Sequence, residues 1–163
     1  SWISGQKKYT FLAIKAILQW KSQMAWIKVD DQPGRKVDLT GLFAMMQAET
    51  FGGGYRVAPG MQPFGDSASI VLGFGLTKLQ MLSVMGPLEK GRHVGKWGKI
   101  SMEPCRRFEI KALDSEGNPT DEKGHEPPLF ISLDGEISMT TPVSFEFHEG
   151  QLNVRGGKRP PNV

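Results

Sequence analysis

Two acidic side chains, Asp134 and Glu136, stand within an otherwise apolar, β-forming run that reads LFISLDGEIS at 129–138. On an extended backbone, residues two positions apart point to the same face of a sheet, so the two carboxylates would lie side by side. Gly135 between them would leave room for a close approach. Mutual repulsion would then favour a bound cation, a proton or a cationic partner. A second interpretation stays open, because Asp-Gly is also a preferred dipeptide of two-residue hairpin turns.

The other motifs exclude several kinds of chemistry. FGGGYR at 51–56 and GFGLTK at 73–78 contain neither GxxxxGK[ST] nor a GxGxxG that opens a helix after a strand, so we predict structural roles for these glycines. His93, His125 and His148 are far apart and form no HxxxH pair, and the chain has no CxxC, so a zinc site is not expected. No GxSxG is present, which leaves acyl-enzyme chemistry without support.

Basic residues are concentrated between positions 90 and 107. The group comprises Lys90, Arg92, His93, Lys96, Lys99, Arg106 and Arg107. Such a group most often forms a solvated face, and contact with anionic lipid headgroups or phosphate is the alternative.

Length, charge and cysteine content bound the class of protein. The chain has 163 residues, which is the size of one ordinary domain, and we predict a single domain over 1–163. Its formal net charge of +3 is mild, so nucleic-acid binding is not expected. Cys105 is the only cysteine, which excludes an internal disulfide and favours a reducing, cytoplasmic location. No run approaches the roughly 20 apolar residues of a membrane span, and no signal peptide is evident. Because the chain starts at Ser1, we expect a piece of something longer or a processed product.

The hydrophobic periodicity predicts two helices and many strands. Phe11, Ile14 and Leu18 recur at helical spacing over 6–22, and Thr77 with Gln80 fits a capping box that opens a second helix. A strand hairpin is predicted around 25–48, a strand resuming at residue 55, and another strand over 67–75. From residue 96 onward, six short β runs ending with QLNVR alternate with turns, and a long polar loop spans 114–128. The predicted fold class is mainly β: a two-layer antiparallel β-sandwich with two short helices.

Several of these stretches, in this order, resemble a known family. FGGGYRVAPGMQPFGD, LEKGRH, PLFISLDGE and FEFHEGQLNV are similar to the C-terminal half of the diacylglycerol, sphingosine and ceramide kinase superfamily, over about 6–154. LEKGRH looks most like the sphingosine kinase branch. The resemblance implies an N-terminal α/β lobe with GGDGT-type and GTxNDFA-type nucleotide motifs, facing a C-terminal β-sandwich across a cleft. Neither motif occurs here, so the chain is interpreted as the C-terminal lobe without its nucleotide-binding lobe.

The resemblance also implies roles for individual residues. Asp134 matches the family's proposed general base, which takes the proton from the lipid hydroxyl as that hydroxyl attacks the γ-phosphoryl group of ATP. Glu136 matches the second acid of the motif, which orients the site or helps to hold the metal–nucleotide network. Asp66 lies where many bacterial members bind a structural magnesium through an Asp-Gly pair. Here the pair is Asp66-Ser67 and the spacing from Pro59 differs, so an ordinary turn aspartate is the alternative.

Two functional hypotheses follow. The first is the substrate-side lobe of an ATP- and magnesium-dependent lipid kinase, inactive alone and touching membranes peripherally, with ATP and Mg²⁺ held mainly by the absent lobe. The second is a non-catalytic β-sandwich that binds lipid or a protein partner. A glycosidase is disfavoured, because carboxylates two residues apart on one strand face do not readily flank a sugar bond.

Overall fold

The structure of the protein is a computed structural model that describes residues 6–51, 54–121, 129–134 and 136–151. Within these ranges the chain forms two helices and eight strands, so the mainly β prediction is confirmed. In chain order the elements are α1 (Gln6–Gln19), β1 (Gln23–Val29), β2 (Arg35–Met46), β3 (Ala68–Phe74), α2 (Lys78–Glu89), β4 (Ile100–Cys105), β5 (Arg107–Lys111), β6 (Phe130–Leu133), β7 (Glu136–Thr140) and β8 (Val143–Glu146).

The strands form one large antiparallel sheet and one separate hairpin. The six-stranded sheet has the order β4-β3-β2-β1-β5-β8, and β6 pairs with β7. β1 shows why these residues form a strand: Ala25, Ile27 and Val29 are buried, while the residues between them are only partly buried, which is the two-residue period of a sheet with one apolar face. The predicted hairpin around 25–48 is therefore confirmed as β1 and β2.

β3 separates two hydrophobic clusters, since it is buried on both of its faces. Ile70 and Leu72 pack into a cluster with β1, β2 and β5, and Leu129 before the β6–β7 hairpin is buried there too. Val71, which points the other way, packs with α2 in a second cluster. A strand covered on both sides is expected to be almost continuously apolar, and in the ASIVLGF sequence of β3 only Ser69 is polar. The sheet thus has an apolar layer on each face, which positions the hairpin and the helices around it.

α2 begins where the capping box was predicted. The backbone N–H of Gln80 donates to Thr77 Oγ1 at 3.2 Å, and the backbone N–H of Thr77 donates to Gln80 Oε1 at 3.0 Å. Both bonds satisfy N–H groups that the first turn of a helix leaves without partners. The helix continues through Pro87 to Glu89.

Three predictions about the loops need correction or fall outside the described residues. No strand resumes at Tyr55, which forms only an isolated bridge with Phe51, because the chain folds back there into turns. The first part of the predicted loop 114–128 is an ordered turn: the backbone N–H groups of Glu116 and Asn118 donate to Asp114 Oδ1 at 3.0 and 2.7 Å. Other predictions lie outside the described residues. These are residues 122–128 of the loop, two of the three consecutive glycines at 52–54, and the predicted last strand QLNVR after its first residue.

Candidate functional site

The two predicted acids lie at the turn of the β6–β7 hairpin. Leu133 at the end of β6 pairs with Glu136 at the start of β7, so Asp134 lies in the turn that joins the strands. Asp134 has a φ of +49°, which is a left-handed and not an extended conformation. Aspartate adopts that region more easily than most residues because its side chain is short and polar. The hairpin interpretation is therefore right, and the expectation that Asp134 and Glu136 share one face of an extended strand is wrong.

Both acids are exposed, and so are the apolar residues beside them. Phe130 is 64% exposed and Ile137 is 72% exposed, and Leu133 is exposed as well. Exposed apolar side chains of this size, grouped on one hairpin, are typical of a surface that contacts another molecule or segment. The hairpin tip thus offers carboxylates in an apolar setting.

Asp30 provides a useful comparison with Asp134. It also follows a strand and has a positive φ of +47°, but its Oδ1 accepts the backbone N–H groups of Arg106 and Arg107 at 2.8 and 2.6 Å. Its carboxylate therefore holds β1 to the turn between β4 and β5. Asp134, in contrast, forms no hydrogen bond or ion pair that is evident within the described ranges. Its carboxylate is free to act on something outside this part of the chain.

Asp66, the predicted magnesium ligand, lies in an exposed loop before β3. Its Oδ1 accepts a hydrogen bond from Ser67 Oγ at 3.4 Å. In the part of the chain that the structure describes, no group of three or more His, Cys, Asp or Glu side chains could hold a metal ion. The magnesium assignment of Asp66 stays a prediction, and the structure does not bring Asp66 into the hairpin of Asp134.

Sequence reasoning missed a clamp around Glu49, which shapes the glycine-rich segment. Arg56 Nη2 donates to Glu49 Oε1 at 2.6 Å, and the backbone N–H of Gly60 donates to the same oxygen at 2.9 Å. These two bonds, with that from Arg56 the larger, lower the pKa of the Glu49 carboxyl. We refer to the described residues 49–51 and 54–60 as the glycine loop. The spacing of Glu49 and Arg56 does not predict this pair, because both residues lie in an irregular segment.

The LEKGRH motif packs against the glycine loop and contacts it through His93 and Gly91. His93 is fully buried and its Nε2 lies 3.0 Å from the carbonyl oxygen of Val57. Burial lowers the pKa of His93, and the bond to Val57 opposes that change. Gly91 has a φ of +66°, which strains any other residue, and a Cβ there would lie only 3.0 Å from Pro59 Cβ, so the two segments pack closely. His93 is thus a core residue, which corrects its predicted place on a solvated basic face.

The predicted basic face is also divided. Arg106 and Arg107 follow β4 and are held through their backbones to Asp30, and Arg107 pairs with Glu146 at 3.3 Å. Lys90, Arg92, Lys96 and Lys99 instead lie in the segment between α2 and β4.

An open groove of about 550 Å³, lined in part by Met24, Asp114 and Leu129, contains none of the predicted site residues.

No helix in the described ranges is long and apolar enough to cross a membrane.

Comparison with models of known protein families identifies the family of this chain. Residues 1–156 match the YegS C-terminal NAD kinase beta sandwich-like domain. The chain belongs to this family. The match covers nearly the whole sequence and confirms the predicted resemblance to the C-terminal lobe of this group of lipid kinases. A search of curated proteins gave no match.

Solved structures support the same fold. A crystal structure of a proposed diacylglycerol kinase from Bacillus anthracis str. Sterne matches with a TM-score of 0.63 and 16% identity, over 92% of this chain and 47% of that one. A second structure of such a protein matches with a TM-score of 0.60 and 16% identity, over 88% and 43% of the two chains. A crystal structure of a diacylglycerol kinase from the same organism gives 0.59 and 14%, over 88% and 44%. The chain thus spans less than half the length of each of these proteins.

Proposed function

We propose that the YegS-type domain described here is the acceptor-side part of an ATP- and magnesium-dependent lipid kinase. The observation that carries this proposal is the LDGE sequence at an exposed hairpin tip, within a domain whose fold matches structures of diacylglycerol kinases. Diacylglycerol is the first acceptor to test, because the matching structures are of proteins described as diacylglycerol kinases. Sphingosine is the second, because of the LEKGRH sequence at 88–93.

Asp134 serves as the general base in this proposal. Phosphoryl transfer needs a positioned carboxylate to accept the hydroxyl proton as the lipid oxygen attacks the γ-phosphorus, and it needs no covalent nucleophile. The Asp134 carboxylate is exposed, and the turn conformation places it at the end of the hairpin. Glu136 is the second acid and would orient the base or the metal–nucleotide complex. The exposed Phe130 and Ile137 would contact the apolar part of the acceptor or the facing lobe.

ATP and its magnesium are assigned to another part of the full-length protein. The described residues hold no metal-binding cluster of three or more ligating side chains, and the glycine-rich stretches lack a phosphate-binding pattern. This set of residues therefore does not fit a complete nucleotide site. The domain alone should transfer no phosphate.

The test is turnover of the full-length protein that carries this domain, with the variant Asp134→Asn. Asparagine also tolerates a positive φ, so the hairpin should persist while the base is lost. We expect kcat to fall about 10²–10⁴-fold with little change in KM for ATP. Asp31→Asn is the matched control, because Asp31 is an exposed aspartate in the turn between β1 and β2. Turnover near that of the unmodified protein would remove Asp134 as the base.

A non-catalytic lipid- or protein-binding module is the second candidate, and the exposed apolar hairpin tip favours it. This candidate predicts that ligand binding survives Asp134→Asn but weakens when Ile137, 72% exposed on β7, is replaced by Ser. It also predicts that the full-length protein gives no phosphorylated lipid. A full-length protein with turnover that Asp134→Asn abolishes would exclude it.

A further inference from the structure

The segment between α2 and β4, residues 90–99, combines positive charge with an exposed tryptophan. It reads KGRHVGKWGK and contains no acidic residue, and we refer to it as the basic–aromatic loop. Four of its residues are Lys or Arg. The ion pairs found within the described ranges all involve basic residues elsewhere, namely Arg35, Arg56, Arg107 and Lys111. The positive charge of this loop is therefore not neutralised by an ion pair with any described residue.

Trp97 is held in a conformation that bulky residues rarely adopt. Its φ of +54° lies in the left-handed region, and Gly95 and Gly98 on either side also have positive φ values. The backbone N–H of Gly98 donates to the carbonyl of Gly95 at 3.2 Å, and that of Gly95 donates to Ile100 at 2.7 Å. These bonds close a tight turn around Trp97 and leave the side chain 47% exposed. A strained conformation that the surrounding turn enforces, and that keeps an indole in water, calls for a use of that indole.

Both ends of the loop are fixed to the body of the domain. His93 is buried against Val57 near one end. At the other end, Lys99 Nζ donates to the carbonyl of Gly75 at 2.6 Å and lies 3.4 Å from Gln80 Oε1 in the first turn of α2. The loop therefore lies against the start of α2, where Leu79 is the most exposed large apolar residue in the described ranges, at 79%. The fixed ends mean that Trp97 needs little reordering before it contacts a surface.

The charges around Trp97 suit an anionic surface. Lys96 Nζ lies 5.6 Å from the centre of the Trp97 ring, so a cation and an indole are presented together. Tryptophan favours the boundary between lipid headgroups and acyl chains, because its ring is apolar and its N–H is polar. Lysine and arginine beside it would contact anionic headgroups.

We propose that the basic–aromatic loop binds the surface of an anionic lipid bilayer, with Trp97 at the headgroup boundary. The choice of a bilayer over an acidic protein rests on the proposed function, since a lipid kinase must reach an acceptor that lies in a membrane. Bound in this way, the domain would stay at the membrane between turnovers. The loop is separate from Asp134 in sequence and contributes no group to the proposed chemistry.

The test is sedimentation of the full chain with phosphatidylcholine–phosphatidylserine vesicles, compared with vesicles of phosphatidylcholine alone. We expect binding to the anionic vesicles only, and weaker binding at high salt. Each basic residue removed near an anionic surface should weaken binding about fivefold, so Lys90→Gln with Lys96→Gln should weaken it roughly 25-fold. Trp97→Asn should also weaken binding, and asparagine suits the positive φ, so the turn should persist. The matched charge control is Lys36→Gln with Arg106→Gln, two exposed basic residues outside the loop, which should bind as the unmodified chain does.

The outcomes separate this inference from the proposed function. Equal binding to neutral and anionic vesicles, or equal loss in the loop and control variants, overturns the inference. Retention of the chain on polyglutamate beads but not on vesicles, lost in the loop variant, would assign the loop to an acidic protein instead. Turnover of a detergent-dispersed acceptor by the full-length protein should be unchanged by Trp97→Asn. If vesicle binding fails while Asp134→Asn still abolishes that turnover, the inference alone fails. If the full-length protein shows no turnover but the chain binds anionic vesicles as expected, the proposed function fails.

Discussion

Mild acid should destabilise this domain through His93. The side chain is fully buried, its Nε2 lies against the carbonyl of Val57, and its Nδ1 has no hydrogen-bond partner among the described residues. Burial lowers its pKa below the ordinary value of 6.5, so as the pH falls the unfolded chain binds a proton before the folded chain does. The stability contributed by neutral His93 is therefore fully present above pH 6.5 and decreases as the pH falls below that value.

The magnitude follows from the uptake of a single proton. Stability should fall by at most about 1.4 kcal/mol for each pH unit below the unfolded pKa, until the folded state also binds the proton. At about pH 5.5 the loss relative to neutral pH should thus reach up to about 1.4 kcal/mol from this group. Other carboxyl and histidine groups add their own contributions, so the informative quantity is the difference between the unmodified chain and a variant that cannot titrate at this position.

The assay is urea unfolding followed by tryptophan fluorescence near neutral pH and near pH 5.5. His93→Gln retains a side-chain amide that can donate to Val57 but has no proton to gain. It should lower stability at neutral pH and show a smaller additional loss on acidification than the unmodified chain. His148→Gln, at an exposed position after β8, is the matched control and should keep the full acid loss. An equal acid loss in His93→Gln and the unmodified chain would refute the assignment to His93.

Three further predictions concern the sheet, α2 and the single thiol. Phe108→Ala removes a ring that is 1% exposed and whose centre lies 5.2 Å from that of the Phe43 ring. It should lower the free energy of unfolding by about 3–5 kcal/mol in urea unfolding. A loss well under that range would mean that the surrounding residues repack to fill the cavity. Thr77→Ala removes the cap of α2 and should reduce stability by about 1 kcal/mol in urea unfolding, whereas no loss would show that the capping box contributes nothing net. Burial, with smaller contributions from nearby acids, raises the pKa of Cys105 to about 11. Iodoacetamide at neutral pH should therefore label this thiol only when urea unfolds the chain. Rapid labelling of the folded chain would contradict the burial of Cys105.

Much of the secondary structure could be predicted because its signals are local. The capping box of Thr77 and Gln80 was read from residues three positions apart, and it forms both of its hydrogen bonds. The hairpin prediction around 25–48 identified β1, where Ala25 and Ile27 point into the core. In each case the physical cause lies within a few residues of the pattern, so neighbouring residues suffice to identify it.

The contacts that shape the glycine loop could not be predicted for the opposite reason. His93 meets Val57 across 36 positions of sequence, and Gly91 packs on Pro59. The residue types of the 90–107 segment predicted a solvated basic face. Only the packing of that segment against the glycine loop places His93 in the core. The strand expected at Tyr55 failed similarly, since the Glu49 clamp bends the chain back where its local sequence favours extension.

Asp134 shows why a turn and a catalytic site are not exclusive interpretations. The sequence left both open, and the structure establishes the turn through a positive φ and the pairing of Leu133 with Glu136. A structural turn aspartate normally satisfies its carboxylate nearby, as Asp30 does with two backbone N–H groups. Asp134 has a similar positive φ without such bonds in the described ranges, so the turn explains its φ but leaves its charge unexplained. Because alanine would disturb the turn and remove the charge together, only asparagine separates the two roles: it keeps the conformation, and any lost turnover then belongs to the carboxylate.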